Sequence, residues 1–211
     1  MMRISSPGLM SLALLAPVSL ALAAESSEGT YRLPFEDGTQ VRVFDDFSTH
    51  RPPGRIDLFA VGGKEPYRVV AAAAGRIAAI QDGYSEKQSG RAAKDCHNNF
   101  VWIEHGNGEW TNYSHLAHDS VTKKAGLKVG DHVEAGTYLG DEGDVGCAML
   151  KHVHFEVAMP STTDPIDAGG FLRDNDGGRL ERNPRFCTIT RGTAVKGETY
   201  RAGACAAGGG S

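Results

Sequence analysis

Lys151-His152-Val153-His154-Phe155-Glu156-Val157 decides how the rest of this sequence is read. Val153, Phe155 and Val157 alternate with polar residues, the two-residue period of a strand with one buried face. Side chains at i and i+2 share a face. His152 and His154 therefore stand side by side on one face, and the three apolar residues occupy the other. Two parallel imidazoles suit a metal ion, or a metal and a proton carrier. Their partners must come from elsewhere in the chain.

Outward from this strand the pattern is short strands and glycine-rich turns. Asn99–His105 (NFVWIEH) reads as a strand, Gly106-Asn107-Gly108 as a hairpin turn, and Glu109–Leu116 as the returning strand. Arg68–Ile80 (RVVAAAAGRIAAI) predicts two strands meeting at a tight turn or bend at Gly75. Val41, Val43 and Phe44 lie in short alternating runs, Arg51-Pro52-Pro53-Gly54 is a turn cluster, and Val129–Gly140 alternates short apolar runs with glycine. Residues 24–33 read as loose, 81–95 as a long exposed loop, and the stretch beyond Pro160 as short of apolar periodicity. No long helix is visible. The expectation is an all-β fold, mainly antiparallel and small-barrel or sandwich-like, with long loops.

The 211 residues suit one domain plus a small extension. Arg3 precedes an apolar run, Leu9–Ala24, that ends in Ala21-Leu22-Ala23, so residues 1–23 read as an export signal. Pro17 and the shortness of the run argue against a membrane span. A periplasmic or secreted protein is expected, without a membrane span in the mature form. The assigned units are residues 24–160 as the main domain and 161–211 as an extension ending in a flexible tail. The net charge of −4, one unit more negative once Arg3 is removed, leaves no basic footprint for nucleic acid. Four cysteines, Cys96, Cys147, Cys187 and Cys205, predict two disulfides in an oxidising compartment. Of three connectivities, Cys96–Cys147 with Cys187–Cys205 is preferred, the second bridge stapling the C-terminal segment. The absence of C-x-x-C spacing argues against a cysteine metal site.

A catalytic zinc takes about three protein ligands from His and Asp/Glu and leaves one position open. His154 is one candidate. His50 and Asp57 flank the Pro-Pro-Gly turn, which folds them toward one point. His115 follows Tyr113 in Thr111-Asn112-Tyr113-Ser114-His115-Leu116, alternates with Tyr113 and Thr111, and is expected opposite His152. His97, His105, His118 and His132 are assigned ordinary structural or surface roles. Glu156 shares a face with His154, as an orienting partner or a plain carboxylate. Tyr113 is assigned to packing.

The order His50…Asp57, Thr111-Asn-Tyr-Ser-His115-Leu, His152-Val-His154-Phe-Glu resembles the lysostaphin-type (LytM-type) zinc metallopeptidases. Val70-Ala-Ala-Ala-Ala-Gly75-Arg-Ile77, Asn99–Gly108 and Val129–Gly140 resemble three further segments of that family. The resemblance implies a duplicated β motif and one zinc per chain held by His50, Asp57 and His154. It implies that His115 and His152 stand beside the zinc-activated water. It also implies hydrolysis of cross-link or stem peptides in bacterial peptidoglycan, by a chain expected to be monomeric. The H-E-x-x-H motif of helical zinc peptidases is absent, so a histidine is the expected base. The spacing from His50 to Asp57 is longer than the family's common one, and Met149-Leu150-Lys151 replaces its usual lead-in to the histidine pair. Both changes bear on the substrate groove more than on the metal. The rival readings are a non-catalytic wall-binding or hydrolase-regulating module, a secreted protease for Gly-rich proteins, and a surface His/Asp cluster without metal.

Overall fold

Strand β10 (Val153–Ala158) lies in the middle of a ten-stranded sheet, between β3 (Ile56–Val61) and β7 (Trp110–Ser114), antiparallel to both. The computed structural model describes residues 25–88, 96–167, 169–173 and 180–206. Beyond β3 the sheet continues with β2 (Gln40–Asp45) and β12 (Thr199–Arg201). Beyond β7 it continues with β6 (Phe100–Glu104), β5 (Gly75–Gln81) and β8 (His132–Val133). The end of β10 also pairs with β11 (Glu181–Phe186), which runs on in parallel with β1 (Ser26–Tyr31). β4 (Arg68–Val70) and β9 (Tyr138–Asp141) form a separate two-stranded sheet. The only helical turn among the described residues is Ser120–Lys124.

The fold is all-β and overwhelmingly antiparallel, as the strand patterns predict. The barrel part of that expectation is corrected: β12 and β8 do not pair, so the sheet stays open. The two strands read at Arg68–Ile80 exist but do not form a hairpin. β4 leaves for the small sheet, while β5 pairs β6 and β8. Gly75 opens β5 because the backbone passes too close for a side chain: a Cβ there would lie 2.4 Å from the Glu104 carbonyl oxygen. The hairpin at Gly106-Asn107-Gly108 stands as read, with Gly108 at φ +83° supplying the left-handed turn residue.

Two polar stretches join the sheet against expectation. Residues 26–31 form β1, although they read as loose. Tyr31 and Leu33 are buried, and the Glu109 carboxylate accepts the Glu28 and Gly29 N–H groups (2.7 and 2.9 Å) and the Tyr31 hydroxyl (2.7 Å). Residues 181–186 form β11 despite Pro184 and two arginines, because β10 and β1 pair with its two ends. Disulfides join Cys96 to Cys147 and Cys187 to Cys205; the second ties the turn after β11 to the segment after β12. The reading of residues 1–23 as an export signal lies outside the described residues, as do 89–95 of the long loop and 207–211 of the tail.

The two faces of the sheet are packed differently. One carries the main core: Val153, Phe155 and Val157 with Val43, Leu58, Ile103 and Tyr113, all essentially inaccessible to solvent. The other carries a smaller cluster of Phe100, Trp102, Ala158, Leu172 and Leu180. Gly170 clamps this second face, its carbonyl accepting from Trp102 Nε1 (2.8 Å) and Asn112 Nδ2 (3.1 Å). The candidate site lies on this same face.

Candidate metal centre

Sheet register builds the site. His154 on β10 stands directly opposite Asp57 on β3, a cross-strand pair whose side chains are held in contact. His154 Nδ1 lies 3.1 Å from Asp57 Oδ1. His50 arrives from the turn that precedes β3. The Asp46 side chain fixes that turn by accepting the Ser48 and Thr49 N–H groups (3.0 and 2.9 Å), and the Asp46 backbone carbonyl accepts the His50 N–H (3.0 Å). Burial works against the Asp46 carboxylate, but the backbone N–H donors win and lower its pKa to about 2. The ring of His50 places Nδ1 2.6 Å from the Pro52 carbonyl oxygen, which turns Nε2 toward Asp57 Oδ1 at 3.5 Å.

His152 and His115 complete the cluster. His152 precedes β10, with Nδ1 2.8 Å from the Leu150 carbonyl oxygen and Nε2 3.5 Å from Asp57 Oδ1. The ring of His115 lies 4.7 Å from that of His152 and 5.9 Å, edge-on, from that of His154. The expected alternation of His115 with Tyr113 fails. Tyr113 faces the core, where its ring packs edge-on against Phe155. His115 lies one residue past β7 at φ +66°, a left-handed conformation rare outside glycine, and this twist turns its ring to the opposite face. Asn98 Oδ1 holds the twist by accepting the His115 N–H (3.1 Å).

The donor chemistry fits a cation. A carbonyl oxygen can only accept, so His50, His115 and His152 carry a proton on Nδ1; in His50 and His152, Nε2 then donates to Asp57 when the ring is protonated and offers a lone pair to a cation when it is neutral. Among the described residues, one set of metal-binding groups comes together. His50, Asp57 and His154 offer ligand atoms that all lie within 4.8 Å of one another. Two imidazole nitrogens and a carboxylate oxygen form a typical zinc donor set. Burial by itself disfavours charge here, yet hydrogen bonds from the three histidines hold the Asp57 carboxyl far below the carboxylate range. Asp57 in turn raises His50 and His152 against the opposing effect of burial. The cluster thus collects positive charge around one anion, and a divalent cation supplies that charge directly. His115 behaves differently: burial, then the neighbouring His152 and His154, push it down to about 3, so it is neutral near pH 7.

The five residues line a cavity of about 580 Å³. Its walls include Phe44, Met149, Leu150, Phe171 and the Cys96–Cys147 disulfide. His97, His105, His118 and His132 do not line it. His105 is buried, with its ring nitrogens 2.8 Å from the Ala74 carbonyl oxygen and 2.9 Å from Thr111 Oγ1. His97 stacks on Tyr84. Three contributors are missing from the sequence reading: Arg55, Phe171 and Glu181. The Phe171 ring packs edge-on against His154 at 5.8 Å, and Arg55 bridges Glu156 and Glu181. Arg55 could have drawn notice from its place between His50 and Asp57, whereas Glu181 and Phe171 lie in a stretch without periodicity.

The family model of peptidase family M23 matches residues 54–168, more than half of the chain. Several solved structures are similar to this chain at low identity. A peptidase M23 from Pseudomonas aeruginosa is 23% identical over 64% of this chain and 48% of its own, with a TM-score of 0.40. The antimicrobial peptidase lysostaphin from Staphylococcus simulans is 22% identical over 68% and 52%, with a TM-score of 0.41. The M23 metalloprotease pseudoalterin from the deep sea is 19% identical over 83% and 96%, with a TM-score of 0.44. The matches span about half the length of the first two chains. No curated protein matches the sequence. Among the described residues no helix is long and apolar enough to cross a membrane.

Proposed function

This chain belongs to peptidase family M23, and on that premise we propose that it is an exported zinc endopeptidase hydrolysing peptide bonds in bacterial peptidoglycan. The observation that carries the reading is the convergence of His50 Nε2 and His154 Nδ1 on Asp57 Oδ1, with the rings of His115 and His152 beside them in one cavity. His50, Asp57 and His154 hold the zinc. Bound there, zinc supplies Lewis acidity for a water nucleophile and for the scissile carbonyl.

The remaining work falls to residues of the chain. His115 presents Nε2 to the cavity with Nδ1 tied to Val145, placed to take the proton from the attacking water and return it to the amine nitrogen as the C–N bond breaks. Val145 keeps it in that tautomer by accepting from Nδ1 at 2.8 Å. His152, in the same cavity, is placed to donate from Nε2 in its protonated form to the oxygen that gains charge as the carbonyl is attacked. The apolar walls at Phe44, Met149 and Phe171 limit water around the reacting bond and seat the peptide on either side of it. The complete set of five residues favours catalysis over a non-catalytic wall-binding role. The peptidoglycan substrate is supported by the resemblance in motif order and by the export-type N-terminus.

The test is mass spectrometry of muropeptides released from purified cell walls by the mature protein, with a chelator arm and a His154→Ala control. New peptide termini that appear only with unaltered, metal-loaded protein support the reading. Release that persists in both control arms contradicts it, and cleavage of Gly-rich proteins but not of walls moves the substrate to the rival class.

A further inference from the structure

Glu181 lies beyond the stretch matched by the family model, yet it ends directly beneath the candidate metal centre. A line of buried charges connects them. His154 Nε2 is 3.7 Å from Glu156 Oε2, the same oxygen is 3.4 Å from Arg55 Nε, and Arg55 Nη2 is 3.3 Å from Glu181 Oε1. Glu156 is completely buried, and Glu181 is 3% exposed. Two buried carboxylates thus share one guanidinium, whose fork holds them in line with His154.

Packing fixes the same geometry. Gly54, at φ +107°, carries the chain over Glu181, and a Cβ on it would lie 3.0 Å from Glu181 Cγ and Cδ. The turn bearing His50 and Arg55 therefore rests on this side chain. Phe171 closes the flank, 5.4 Å from the Arg55 guanidinium and edge-on to His154. His154 Nε2 and both Glu156 oxygens are buried without a full hydrogen bond. A cation on Nδ1 keeps the imidazole proton on Nε2, where it faces Glu156 and gives both groups the partner they need.

We propose that Glu181 is a positioning residue for the metal ligand His154. Through Arg55 it holds Glu156 against Nε2, and so fixes the ring that presents Nδ1 to zinc. The proposal rests on the metal-binding reading of His50, Asp57 and His154. It makes β11, outside the matched family region, part of the metal centre's support.

The test is zinc affinity of the full chain, stripped of metal and titrated against a competing chelator. Glu181→Gln is expected to bind zinc about 10–100-fold more weakly, the usual cost of losing an outer partner of a metal ligand. Glu156→Gln should show a similar loss, and the double variant should be no weaker than the worse single one, because both act along one path. A merely structural role would lower the melting temperature of the metal-free protein and leave zinc affinity unchanged; that result overturns the proposal. If Glu181→Gln does not fold, Arg55→Lys keeps the charge but loses the fork that bridges two carboxylates. It should weaken zinc binding about tenfold, and unaltered affinity there also overturns the proposal. An unaltered chain that binds no zinc fails at the metal centre itself and takes the proposal with it.

Discussion

The two faces of β10 teach different lessons. On one, Val153, Phe155 and Val157 are fully buried among other apolar side chains, and each could be exchanged for a residue of like volume at modest cost. On the other, His152, His154 and Glu156 are almost as buried, yet every one is polar. A buried polar face survives only if each group finds a partner. Here the partners come from four directions: Asp57 across the strand pair, His50 from a turn, His115 from a twisted residue, and Arg55 with Glu181 from below. The apolar face holds the sheet together, and the polar face gathers the candidate metal ligands.

Substitutions on the two faces should separate these roles. The largest effect is expected on the polar face. His154→Ala should reduce peptide release to background and abolish zinc binding, while its circular dichroism matches that of the unaltered protein. Equal activity in wall digests would break the division between the faces. His115→Ala should keep zinc at one ion per chain but lower kcat by about 10²–10⁴, the typical contribution of a positioned proton acceptor. Loss of zinc in that variant would move His115 into the ligand set.

Phe155→Ala, on the apolar face, should cost about 3–5 kcal/mol of stability in urea unfolding. The protein that remains folded should still bind zinc. A selective loss of zinc affinity without loss of stability would show that the two faces are not separable.

A smaller effect is expected far from both, where Glu109 ties β1 to the hairpin. Burial opposes its charge, but the Tyr31 hydroxyl and the Gly29 and Glu28 N–H groups outweigh that and lower its pKa. A carboxyl lowered on folding contributes stability that is present above its unfolded pKa of roughly 4.3 and is lost as pH falls through the folded value. Glu109→Gln should therefore cost about 1–3 kcal/mol near pH 7 and less under acid conditions. Thermal melts of both proteins from pH 7 down to pH 3 check this; a difference that grows on acidification would contradict it.

Local pattern made half of the fold legible. β10 and the β6–β7 hairpin declare themselves through alternation and a glycine turn within about a dozen residues. β1 and β11 do not. Glu-Arg-Asn-Pro-Arg-Phe carries no strand period, and it is a strand because β10 and β1 happen to lie beside it. The site divides the same way. The five central residues stand out through motif order. The left-handed backbone at His115 and the chain from Glu156 through Arg55 to Glu181 depend on long-range contacts that no spacing reveals.

The central claim is that the polar face of β10 binds one metal ion through His50, Asp57 and His154. Elemental analysis of the purified mature protein, beside Asp57→Ala shown to be folded, tests it most directly. The account predicts one zinc per chain in the unaltered protein and none in the variant. Equal zinc in both, or none in either after purification in zinc-containing buffer, would contradict it.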